Sequence, residues 1–595
     1  MEKYNSRSEV PEKYKWNLTD FFKDEKDYEK KFNDFKNEIK KAKEYVGCTK
    51  DSGKLYEFLD YFMKTNSDGE NLFVYSYLKN DEELGNSKSI DRLSKIQNLC
   101  EEFSNMISFF EPELLKLSKE EYKELFNNKK LDEYKCFLDE IYREKDHILS
   151  ENEEIIISQL NNAMNNFEEI SSNLLNNEHN YGSVIIDGVE TEIHSTNYGK
   201  ILKNKDVNIR KEAFNKYKTV LAQYVGTSAS LLDSYVKANN TNAKIHKFKN
   251  AWDRKLFDYE MKEEAYNALT NTISNNLDVL HKYYGLYKDV YNLKEVHMYD
   301  LNLDLANSDK KYSIEEATSL IREALKPLGE EYLKCYDRII ENHYIDFCEY
   351  KGKCSGGYSA STSTLDSRIL LSFNEYLSSV SVIAHECGHN VHHQFVKANN
   401  KIQYRDITNL VAEVVSLTNE CLLSHYLSIN GKTKEEKLSG IVNILEVFDA
   451  NLFGATREGM MESDFNKYSE DGNAITKDYM NELDEKYIRM FYGNDIVYDK
   501  YFNTTWIRRS HFYMNYYLYN YAFCISVASS VASRIIKGDK DMLNKYLKFI
   551  KLGSDTKPLD AFKVLDADLT KEDVYKDAIN YFDSLVEKFK QISKE

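Results

Sequence analysis

Only four prolines, Pro11, Pro112, Pro327 and Pro558, occur in 595 residues. Proline breaks helices because it lacks an N–H donor and its ring clashes with the preceding turn. With glycine at only 22 positions, helix breakers are scarce along the whole chain, and the expectation is a mainly α protein built as a large multi-helix body. The length exceeds what one ordinary hydrophobic core supports, so at least two domains are expected. Hydrophobic residues, at 42%, supply enough material for their interiors.

The formal charge of −18 and pI near 5.4 argue against nucleic acid or an anionic membrane as the main partner. No stretch approaches the roughly 20 apolar residues of a membrane span. The opening MEKYNSRSEVPEKYKWN has no apolar segment of the kind a secretion signal needs. The nine cysteines are scattered, odd in number and without a CxxC pair. They are read as reduced thiols of a cytoplasmic protein.

Along residues 1–180 the pattern is of successive amphipathic helices. Ser118 to Glu121 and Ser150 to Glu153 have capping-box form and mark helix starts. Asp187-Gly188 between two β-branched runs signals a hairpin. A division into an N-terminal helical domain, 1–195, and a catalytic domain, 196–595, is expected from this break. The stretch 344–373, with Gly352, Gly356 and Gly357 followed by Tyr358-Ser359, reads as a small β-element of two or three short strands. Helices resume after it, beginning with VSVIAHECGHNVHHQF.

That segment carries His385-Glu386-Cys387-Gly388-His389, an HExxH sequence. Two histidines four apart lie about 40° apart on one helix face. Both can meet one Zn²⁺, while Glu386 on the adjacent face reaches a water without being forced to ligate. A catalytic zinc needs a third ligand and an open position. Position 395 is Phe, which closes the route of a third histidine there. The next apolar segment, NLVAEVVSLTNECLLSHYL, carries Glu413 and Glu420, seven residues apart on nearly one face. Buried carboxylates are costly unless paired or metal-bound. Glu413 as ligand and Glu420 as acceptor behind a ligand histidine accounts for both, against the alternative that one faces solvent. His392 is either a supporting donor, a fourth candidate ligand or a core histidine. Cys387 is read as a packed apolar residue.

With these residues in hand, the chain resembles the oligoendopeptidase F group of the thimet-oligopeptidase-like (M3) family of zinc metallopeptidases. The resemblance rests on His385-Glu386-x-Gly388-His389-x-x-His392, Glu413-x-x-Ser416, Gly356-Gly357-Tyr358-Ser359, Ile369-Leu370-Leu371 and His511-Phe512-Tyr513 with the tyrosines that follow. Tyr14 to Leu18 and His147-x-Leu149-Ser150 extend it over nearly the whole chain. Cys387 and Cys354 depart from the pattern without touching a motif ligand. The resemblance implies a helical body with a deep central channel, one Zn²⁺ per chain and endopeptidase action on short unstructured peptides. It also implies oxyanion contacts from the Tyr-rich segment 510–522, carried to His511 and Tyr519, then Tyr516, with Tyr513 weaker.

Read as one helix, that segment places His511 and Tyr519 about 80° apart, so one face presents an imidazole and phenols. A chain with 46 tyrosines can equally use such a segment to pack a core. The Gly356–Phe373 stretch offers a strand edge that would bind an extended peptide through its main chain, or a purely structural hairpin. Two rivals remain at this point. A dipeptidyl carboxypeptidase would need Arg508 or Arg509 to grip a free C-terminus, and a non-catalytic peptide-binding protein would not need an intact HExxH. The oligomeric state has no signal in the sequence.

Overall fold

A computed structural model describes residues 4–164, 166–176 and 179–595. Helices make up 69% of it, as the scarcity of proline and glycine predicts. Among the described residues the strands are seven short pieces in three small sheets. The expected helix starts are present. Ser118 and Glu121 form a reciprocal capping box on the helix Lys119–Leu125, and Glu153 accepts hydrogen bonds from the Ser150 N–H and hydroxyl. The strands Ser183–Ile186 and Val189–Glu192 pair antiparallel around Asp187 and Gly188, both at positive φ. That geometry is why an Asp-Gly pair closes a two-residue hairpin.

The chain divides into two compact units, each assembled from three separate stretches. The first holds 1–146, 310–423 and 534–565; the second holds 147–309, 424–533 and 566–595. Residue 195, where a boundary was expected, lies inside the second unit, just past its hairpin. One run, Lys434–Glu470, has the length and mean hydropathy of a membrane span, contrary to the reading that no stretch approaches one. Its window is 56% buried, and it carries the buried ion pair Arg457–Glu458, so it is built as a core helix.

In the first unit, aromatic residues of the N-terminal helices form a core around Phe58, Tyr75, Phe103 and Phe110. A three-stranded sheet adjoins it in the order Ile345–Asp346, Arg368–Leu370, Tyr358–Ala360, the last pair antiparallel. Tyr358–Ala360 is thus an edge strand. The helix Leu377–Asn399 follows directly. Val380, Ile383, Ala384, Cys387, Val391 and Phe395 recur at helical spacing and are buried, which seats it in the unit. Asn390 ties it to the sheet by donating to the Ser367 carbonyl, and Gln394 donates to the Cys335 carbonyl.

Candidate active site

The HExxH residues sit in the middle of the helix Leu377–Asn399, and Glu413 and Glu420 on the helix Asn409–Asn430. The two helices approach closely at Gly388. A Cβ there would stand 2.7 Å from the Ser416 Cα and 3.0 Å from its nitrogen. Asn419 fixes the same crossing, donating to the Ala384 carbonyl and accepting from the Tyr332 hydroxyl. This contact carries the Glu413 carboxylate to the two histidines. His385 Nε2 lies 3.3 Å from Glu413 Oε2 and 3.2 Å from His389 Nε2, and His389 Nε2 lies 3.6 Å from Glu413 Oε2.

These three atoms form a group that could hold a metal. Ligands at 2.0–2.1 Å in a tetrahedron stand about 3.3 Å apart, which is the spacing found. The donor set, two imidazoles and a carboxylate, fits Zn²⁺. Glu420 is buried and sets the tautomer of one imidazole. It accepts from His385 Nδ1 at 2.8 Å and from the Ser381 hydroxyl at 2.7 Å, leaving the His385 Nε2 lone pair for the cluster. Ser416 donates to Glu413 Oε2 at 2.9 Å. Burial works against ionisation of Glu413, but the neighbouring histidines and Ser416 hold its carboxyl down at about 2.

Glu386 is 8% exposed, and no protein group among the described residues hydrogen-bonds its carboxylate. Burial, with the negative Glu413 and Glu420 nearby, pushes it up to about 7 although His385 opposes this. Glu386 lines a cavity of about 410 Å³ together with His385, His389 and Glu413. Gly357 and, from the edge strand, Tyr358 and Ser359 border the same cavity. The Tyr358 hydroxyl itself is turned to Asp81 at 2.8 Å. Gly356 takes positive φ at the approach to the strand. His392 is buried, its ring 6.2 Å from that of Phe549, and borders the cavity without being part of the three-ligand group.

The second unit holds the Tyr-rich segment, and here the single-helix expectation is corrected. Ser510–Tyr513 is one short 3₁₀ turn, Asn515 and Tyr516 both adopt left-handed φ, and the α-helix begins only at Tyr519. The turn is held by the buried Glu462, whose carboxylate accepts from the Tyr516 N–H at 2.5 Å. Tyr516 and Tyr519 are consequently packed inside, their rings against Trp252 at 4.7 and 5.6 Å. Tyr513 lies against Tyr235. The rings beside His511 are instead those of Tyr517 and Tyr521, at 6.3 and 5.9 Å, and all three are only half-buried. Arg508 is bound to the Leu175 carbonyl and Asn176, and Arg509 to the buried Glu458 at 2.6 Å.

The model of Peptidase family M3 matches residues 201–581, and that of Oligopeptidase F matches 113–180. The chain is 30% identical to oligopeptidase PepF of Bacillus subtilis, over 98% of this chain and 88% of that protein. It is also 30% identical to the oligoendopeptidase F homolog of Borreliella burgdorferi, over 99% of each. A crystal structure of a chain from Chlamydophila abortus assigned as a peptidase superposes with a TM-score of 0.91 at 25% identity, covering 99% of this chain and 100% of that one. The oligoendopeptidase-F of Enterococcus faecium shares the fold at a TM-score of 0.73 and 24% identity, over 96% and 99%. Matched along nearly its whole length, the chain belongs to peptidase family M3, as a metalloendopeptidase of the oligoendopeptidase F type.

Proposed function

We propose that this chain is a zinc-dependent endopeptidase that cuts short, unstructured peptides internally, with one Zn²⁺ per chain held by His385, His389 and Glu413. The convergence of three ligand atoms at tetrahedral spacing carries the reading. A bound Zn²⁺ supplies a Lewis acid that makes water nucleophilic near neutral pH and polarises a carbonyl. Glu386 accepts the proton of the attacking water and returns it to the leaving amine. Its burial, its lack of a hydrogen-bond partner among the described residues and its place on the cavity wall support that role. Glu420 orients His385. Gly356, Gly357, Tyr358 and Ser359 align the peptide along the edge strand, where main-chain pairing reads backbone and leaves side chains free.

Oxyanion donation by His511 is inferred from the family resemblance alone. Tyr517 and Tyr521, beside its ring and half-exposed, suit that task better than the packed Tyr519 and Tyr516. Peptides as the substrate class agree with the oligopeptidase names of the relatives. A cytoplasmic location fits the scattered free thiols. The test is mass spectrometry of fragments from a mixed peptide library, with and without chelator. Internal cuts that vanish on chelation and return with Zn²⁺ are expected. Release of C-terminal dipeptides only, or turnover indifferent to chelator, would refute it.

A further inference from the structure

The edge strand Tyr358–Ala360 is short for the task assigned to it. It pairs with its neighbour through three residues, Tyr358 with Leu370, Ser359 with Ile369 and Ala360 with Arg368. Ser355, Gly356 and Gly357 just before it are exposed. A three-residue strand with one free edge is held weakly by its own ladder. A strand that pairs with an incoming peptide must nevertheless hold its main chain in place before the peptide arrives. Support therefore has to come from outside the ladder.

Lys353 lies in the connection leading to that strand, between Gly352 and Gly356, which both take positive φ. Its side chain is 1% exposed. The ammonium donates to the carbonyls of Asp346 at 3.0 Å, Cys348 at 2.8 Å and Leu371 at 2.6 Å. These carbonyls stand at or just beyond the ends of the strands Ile345–Asp346 and Arg368–Leu370. All three ammonium protons are thereby used, so the further contact with Asp346 Oδ1 at 2.7 Å is Coulombic. Arg7 binds the other oxygen of Asp346. Burying an ammonium is costly, and a methionine would fill the space without that cost. A methionine could not fasten three pieces of main chain to one point. The next residue continues the attachment. The Cys354 N–H donates to the Asp81 carbonyl at 3.0 Å, and the Tyr358 hydroxyl to the Asp81 carboxylate at 2.8 Å. Gly356 and Gly357 are thus pinned on both sides, to the sheet through Lys353 and to the helix Ser52–Asp81 through Cys354 and Tyr358.

We infer that Lys353 is a positioning residue for peptide binding, which fixes, through the Asp346 ion pair and the three carbonyls, where Gly356–Ala360 presents its free edge to the substrate main chain. The inference rests on the reading of that strand as the support for an extended peptide. Lys353 does not border the catalytic cavity and acts only through the strand.

Two peptides that share the bond to be cut, about four and about ten residues long, provide the test, because only the longer can pair along the whole strand. For each, kcat and KM are measured on zinc-loaded enzyme, with metal analysis alongside. In the unaltered enzyme kcat/KM should be about tenfold or more higher for the longer peptide. Lys353→Met should bring that ratio to about threefold or less, through a raised KM for the longer peptide and with zinc retained. Lys353→Gln, whose amide can still donate, should recover part of the ratio. A side chain that only stabilises the fold would lower the fraction of active enzyme, hence kcat for both peptides alike, and leave the ratio intact; that result overturns the inference. If the unaltered enzyme cuts both peptides equally well, the strand does not support the substrate, and the inference falls while the peptidase reading stands. If it cuts neither, the peptidase reading fails and takes the inference with it. Should Lys353→Met not fold, Lys353→Gln carries the same comparison, and an unchanged ratio there also overturns the inference.

Discussion

Replacing Gly388 by alanine tests how the two ligand-bearing helices create the site. The added methyl would meet the Ser416 backbone at 2.7 Å, where ordinary contact begins at 3.4 Å. Something must retreat by about 0.7 Å, and the obstacle is main chain, not the end of a flexible side chain. The helix Asn409–Asn430 carries Glu413 one turn before Ser416, so the carboxylate moves with it. Zinc coordination tolerates deviations of only about 0.2 Å. Alanine improves helix propensity by about 1 kcal/mol, while overpacking of this kind costs about 1–3 kcal/mol. Net stability should therefore fall only modestly, and ion affinity should fall steeply, by a factor of about 10 to 100. Competition titration against a zinc chelator gives the affinity, and thermal unfolding of the metal-free protein gives the stability. A Gly388→Ala protein with unaltered zinc affinity and unaltered melting temperature would show that the close approach does not position Glu413.

Glu386→Gln should keep one zinc per chain and lose activity by a factor of about 10² or more, read by metal analysis beside peptide turnover; near-normal turnover in the loaded variant would remove Glu386 as base. Glu413→Ala should lose zinc affinity by more than Glu420→Ala, whose effect through His385 should be about 10- to 100-fold, and the reverse order in equilibrium dialysis would mean the ligand is misassigned. Tyr521→Phe and Tyr517→Phe should lower kcat with little change in KM, whereas Tyr519→Phe should chiefly alter the melting temperature of a buried ring cluster; a kcat loss confined to Tyr519→Phe would restore it as the oxyanion donor. A flexible peptide of about ten residues should be cut, and the same sequence in an ordered loop of a folded protein should survive, because only a free chain can pair along a strand edge.

The metal cluster was legible because its chemistry is local. His385 and His389 share one helical turn, and Glu413 and Glu420 stood out as carboxylates in an otherwise apolar segment. The small sheet and the hairpin announced themselves through glycine and Asp-Gly for the same reason. The Tyr-rich segment was misread because its conformation depends on a residue far away in sequence. Two consecutive non-glycine residues in the left-handed region are stabilised by Glu462, 54 positions before Tyr516, and nothing local in 510–522 reveals that bond. The value of Gly388 was hidden too, since the neighbour that forbids a side chain belongs to another helix. The compact units escaped because no proline- or glycine-rich linkers mark where the chain passes from one to the other.

That threading has a consequence for when the enzyme becomes active. The HExxH helix lies in the second of the three stretches of its unit, and its supports lie partly in the third. Phe549 covers His392, and the Lys551 carbonyl accepts from Asn400 at the end of the helix. On the ribosome, residues 424–533 of the other unit must be made before 534–565 can close around the helix. A nascent chain that already carries His385, Glu386, His389 and Glu413 thus still lacks part of the packing that seats them. Hydrolytic competence should arrive late in synthesis, so that incomplete copies of this peptidase are poor catalysts among the other unfolded chains around them.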